Sequence, residues 1–149
     1  MREDFFKIFA IFIAIHFNTV FAQKKTTPAL KNKAIHKIAF GSCSHQDKNQ
    51  DILYKVIGEK PDLFIYLGDN IYGDTRNMNI LKEKYNTLGS KPEFMALKAS
   101  TPLLATWDDH DFGENDAGRH YPFKKESREV FLDFWGEPLL SKRRKHKGI

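Results

Sequence analysis

Leu63-Phe64-Ile65-Tyr66-Leu67 limits this chain more than any other stretch does. Five apolar residues in unbroken order offer water no polar face, and Gly68-Asp69 stop the run at strand length. An alternating strand can leave one side in solvent. An unalternating one suggests cover on both faces, as in a sheet with helices packed against it.

The neighbouring segments supply partners for such a strand. Lys37 to Phe40 reads as another strand, ending in Gly41-Ser42-Cys43-Ser44-His45. Asn49 to Lys60 reads as a helix, because Ile52, Leu53, Val56 and Ile57 share a face, and Lys60-Pro61-Asp62 stops it. Asn79 to Leu88 and Pro92 to Ala99 read as helices around a Gly89-Ser90 break. Leu103 to Trp107 forms a third strand, and Glu126 to Trp135 a last helix with Val130, Phe131, Phe134 and Trp135 as its apolar stripe. Strands alternating with helices predict an α/β layered fold. In such sheets ligands gather outside the carboxyl ends of the strands.

All three strand candidates end in polar residues that can bind metal. The third runs into Asp108-Asp109-His110-Asp111, where unpaired carboxylates at ~4 Å would repel by about 4 kcal/mol at an effective dielectric of about 20. Such a cluster suits a solvated turn, a helix cap, or a cation that offsets the repulsion. It does not fit a calcium loop of the EF-hand type, since setting Gly113 at the sixth position puts His110 and Phe112 where oxygen ligands must stand. The second strand ends in Gly-Asp-Asn-Ile-Tyr-Gly-Asp, residues 68–74. Asp69 can project from the strand tip, and Tyr72 is close enough in sequence to fold back onto the same cation. Alone, Gly-Asp is a turn, Tyr72 a packed aromatic and Cys43 a buried thiol. Together they mix hard oxygen donors with a soft sulfur, a combination that points to a transition metal beside a harder ion, with Asp69 between them.

The N-terminus reads as an export signal. Phe5 to Phe17 is almost wholly apolar, and Val20 and Ala22 place small residues before Gln23. Residues 1–22 are therefore expected to be a cleaved signal peptide, since the apolar run is shorter than the ~20 residues that span a bilayer. Residues 23–36 are expected to be a polar linker, and no later stretch is apolar enough to cross a membrane. The expected location is secreted, periplasmic or otherwise extracytoplasmic. Cys43 is the only cysteine, so the chain can form no internal disulfide. Net charge is +5, and Lys142, Arg143, Arg144, Lys145 and Lys147 alone carry that much, leaving the rest balanced. This run is expected to be a solvated loop, with no nucleic-acid partner.

Gly41-Ser42-Cys43, residues 68–74 and Trp107 to Asp116 in combination resemble the alkaline phosphatase D (PhoD-like) family of metallophosphatases. The resemblance runs from about Lys37 through Pro138 and implies a layered metallophosphatase-like sheet with flanking helices. It also implies a binuclear centre of ferric iron and calcium that hydrolyses phosphate esters, small molecules or phospholipids, through a metal-activated hydroxide. Carried over by motif, Cys43, Asp69 and Tyr72 would bind iron, Asp69 would bridge to calcium, and Asp109 would stand on the calcium side. His110 would contact the substrate phosphate or protonate the leaving oxygen. Asp108 and Asp111 would be acceptors behind the ligands or turn residues, and Asn115 a further candidate ligand. The family completes its site with later aspartate, asparagine and histidine ligands, and no Gly-His-x-His-like element follows here. Residues 37–149 are therefore expected to be the N-terminal portion of the domain, apparently truncated and weakly active at most. The alternative is an exported, non-catalytic metal- or phosphate-binding fragment.

Overall fold

The computed structural model describes residues 34–149; the expected signal peptide and most of the expected linker lie outside the described residues. The α/β class read from the alternating pattern is observed. Strand β1 (Ile38–Gly41) leads to helix α1 (Ile52–Gly58), and β2 (Leu63–Tyr66) to α2 (Met78–Ser90) and α3 (Pro92–Ser100). Strand β3 (Leu103–Ala105) is followed by the short α4 (Asp109–Phe112) and by α5 (Lys124–Phe134). The strands form one parallel sheet in the order β1-β2-β3, so the apolar β2 run is central. Parallel order brings all three carboxyl ends to one edge. Among the described residues no helix is long and apolar enough to cross a membrane.

Register determines which side chains share a face. Ala39, Phe64 and Leu103 align across the sheet, and Tyr66 pairs with Ala105 on the same side. This face meets the core, where Leu53, Leu81, Tyr85, Leu88, Phe94, Leu97, Phe131 and Leu132 bury the apolar stripes of α1, α2, α3 and α5. Tyr66 packs its ring against Trp135 at 5.0 Å and Phe94 at 6.1 Å. Gly89, expected at a helix break, instead lies in the last turn of α2. A Cβ there would stand 3.0 Å from Phe134 Cε2, so the glycine lets α2 approach α5. The chain leaves the helix at Lys91, and Pro92 opens α3.

Two expectations are corrected. The unbroken β2 run predicted cover on both faces, yet the opposite face carries Phe40, Ile65 and Leu104 in one row, with Phe40 68% and Leu104 45% exposed. An apolar run reports that both sides of a strand are apolar, not that both are covered. The basic tail is not a solvated loop either, since Lys142–Lys145 form a 3-10 helix. Arg143 donates to Glu137 and to the Ala105 carbonyl on β3, both at 2.9 Å. Arg144, its side chain 10% exposed, donates to Glu129 and Asp133 at 2.7 Å. Two of the five tail cations are thus tied inward by acids on and after α5.

Candidate metal centre

The loops after the three strands are laced together. Cys43 N donates to the Gly68 carbonyl (3.2 Å), and Ser44 N to that of Asp69 (2.8 Å), joining the loops after β1 and β2. Gly68 has φ +112°, and a Cβ on it would stand 2.8 Å from Asp108 Cβ. The residue must therefore be glycine for conformation and for space, and the loop after β2 rests directly on the one after β3.

Asp111 sets that contact. It is fully buried, and its Oδ1 accepts from the backbone N–H groups of Asn70 (3.0 Å) and Ile71 (3.3 Å) and from the Tyr85 hydroxyl (2.9 Å). Its Oδ2 accepts from Asn70 Nδ2 (3.2 Å) and Asp108 N (3.0 Å). Asp108 caps α4 in return, completing a capping box. Burial pushes the Asp111 pKa up to about 6, against the pull of these donors. Both aspartates thus hold the turn in place.

The remaining acids of the motifs face one another. Asp69, Asp109 and His110 each offer a ligand atom, and these atoms all lie within 4.8 Å of one another. Cys43 Sγ lies 3.7 Å from Asp69 Oδ2. The Tyr72 ring packs against those of His45, 4.7 Å away and stacked, and His110, 4.3 Å away. Burial raises the pKa of Asp69; Asp109 and Asp108 add to the rise, while His110 and the Cys43 thiol oppose it. Tyr72 is raised by burial and then by Cys43, Asp69 and Asp109, which places its hydroxyl in the same electrostatic neighbourhood. Cys43 (φ 57°) and Asp69 (φ 51°) both adopt the left-handed region, a strain of about 1–3 kcal/mol each for residues other than glycine.

His110 has a partner that the sequence did not single out. Its Nδ1 lies 2.7 Å from Asp74 Oδ1, which leaves the other ring nitrogen outside that bond. Burial alone would lower the His110 pKa, but the Asp74 hydrogen bond and the charges of Asp74, Asp109 and Asp69 together raise it. His45 was likewise given no role, although its ring stacks on Tyr72. Asp74 closes the 68–74 motif, and that position was its only sequence signal. Asn115 is exposed and donates to Asp116 Oδ2 at 2.8 Å; Asp116 N donates in turn to Asp109.

Asp69, Asp109 and His110 form a group that could hold a metal ion. One observation tests the fit: Asp69 Oδ1 is buried and has no hydrogen-bond partner. A buried carboxylate oxygen without a donor is destabilising, and a cation would satisfy it. Two carboxylates and an imidazole, with a thiol and a phenol beside them, suit a divalent or trivalent ion.

The chain is 30% identical over 131 residues to alkaline phosphatase D of Bacillus subtilis (strain 168), an alignment covering 74% of this chain and 22% of that protein. The chain thus spans about a fifth of that relative's length. No family model matches the chain. No solved structure matches it. The similarity supports a PhoD-like relationship.

Proposed function

We propose that residues 37–149 are the N-terminal portion of a PhoD-like metallophosphatase domain, exported by the segment at 1–22, whose centre hydrolyses phosphate esters. The observation that carries the reading is the partnerless buried oxygen of Asp69, in a group whose ligand atoms lie within 4.8 Å. Cys43, Asp69 and Tyr72 would hold ferric iron, and Asp69 and Asp109 calcium. When bound, such ions neutralise phosphate oxygens and acidify a water. The chain's own residues supply the rest. Asp74 holds the His110 ring by Nδ1, so the other nitrogen is oriented to give a proton to the departing alkoxide. The raised His110 pKa keeps that proton available closer to neutral pH. Asp111 and Asp108 fix the turn that carries Asp109 and His110.

A second reading is an exported metal- or phosphate-binding fragment without turnover, because the Asp69, Asp109 and His110 group can hold a cation whether or not hydrolysis follows. One experiment separates the readings. The purified chain is loaded with iron and calcium, its metal content measured by mass spectrometry, and hydrolysis of 4-nitrophenyl phosphate followed. Metal with turnover lost in His110→Ala supports hydrolysis, and metal without turnover supports the fragment. Full metal content in Asp69→Ala would refute both ligand assignments.

A further inference from the structure

We propose that a groove between the start of α5 and the tail binds a small oligophosphate anion. Arg119, His120, Lys124, Lys125, Arg128 and Lys147 line this groove of about 570 Å³, and no acid is among them. The six come from three places: the loop before α5, the first turns of α5, and the tail. Five are permanent cations; Arg128 is paired with Glu129, and gathering the other four is unfavourable unless an anion shares the space.

Two details show that the cluster is held rather than incidental. Arg128 donates from Nη1 to the His146 carbonyl and from Nη2 to Glu129, so it anchors the tail beside α5 and brings Lys147 to the groove. Lys124 Nζ lies over the Phe112 ring at 5.0 Å, which ties the rim to α4. His120 Nε2 accepts from Arg119 Nε at 3.0 Å, so a neutral His120 carries its hydrogen on Nδ1, adding a donor to the rim. Placement adds a further point. Lys124 and Lys125 open α5, where the helix dipole disfavours cations and where Phe123 provides no side-chain cap. Positive charge at that end is stabilised by a bound anion with several oxygens. Compact oligophosphates fit within the groove, and their charge answers that of the lining.

The test uses the full chain treated with EDTA, so that phosphate cannot bind through a metal and the metal-centre reading can fail without touching this one. Tripolyphosphate is titrated by calorimetry into wild type, into Lys125→Gln/Lys147→Gln, and into Lys142→Gln/Lys145→Gln. The second double variant removes the same charge from exposed positions outside the groove. The expected result is saturable one-site binding, weakened about tenfold or more by the groove pair, since each lost charge-assisted bond is worth about tenfold, and by less than about twofold by the control pair. Equal weakening by both pairs would reduce the effect to net charge and overturn the proposal. So would absence of tripolyphosphate binding, including the case in which the protein binds only vesicles of anionic phospholipid.

Discussion

Replacing Asp111 by asparagine tests whether the site is built from the inside. The carboxylate is fully buried and accepts five hydrogen bonds, three on Oδ1 and two on Oδ2, from the backbone of Asn70, Ile71 and Asp108 and the side chains of Asn70 and Tyr85. Asparagine has almost the same shape but only one acceptor oxygen. If its carbonyl takes the Oδ1 position, its NH₂ faces Asn70 Nδ2 and Asp108 N, donor against donor. Each buried donor left unmatched costs about 1–3 kcal/mol, so Asp111→Asn should destabilise by about 4 kcal/mol. That is a large part of the ~5–15 kcal/mol by which domains are stable.

Urea unfolding supplies the global number, and hydrogen exchange locates the damage. Protection at the amide of Asp108, which loses its acceptor, should fall first, while that of Leu81 and Phe131 in the core helices falls only with global stability. Tyr85→Phe, which removes one donor, should cost about 1 kcal/mol in wild type and less in the Asp111→Asn background, because the bond then ends on a neutral carbonyl rather than a carboxylate. Should Asp111→Asn unfold within about 0.5 kcal/mol of wild type, the range of an ordinary surface change, and keep Asp108 protected, the clamp does not exist as described.

Asp74→Asn should lower the His110 titration midpoint in metal-free protein, read by NMR. The native pKa is raised, so the ion pair's contribution is complete below the unfolded value of 6.5, is lost as pH rises through the native midpoint, and this slope vanishes in the variant; an unchanged midpoint would remove Asp74 from any role. Phe40→Glu, in the exposed apolar row, should reduce light scattering of concentrated protein and shift stability by less than about 0.5 kcal/mol, since the side chain is 68% exposed. Unchanged scattering would mean that the row does not drive self-association.

What could be read from sequence is what neighbouring residues decide together. The strands, their order and their polar ends follow from apolar runs closed by glycine and aspartate, and a parallel sheet then brings those ends to one edge. The four residues from Asp108 to Asp111 show where such reading stops. By composition the three aspartates are equivalent; one turn of helix separates them, turning Asp111 into the core and leaving Asp109 with Asp69 and His110. The capping-box spacing of Asp108 and Asp111 was a local sign of that division, whereas the bond between His110 and Asp74 joins residues 36 apart and had none. The tail divides in the same way. Arg143 and Arg144 sit among lysines in an undifferentiated basic run, but their partners lie on β3, on α5 and just after it, so only folding distinguishes the arginines that hold the chain together from the lysine that reaches the groove. Charge in this protein is therefore sorted by tertiary contact. Acids at the strand ends and cations around α5 each divide into members that build the fold and members left over, and the left-over members are the ones for which a ligand has to be sought.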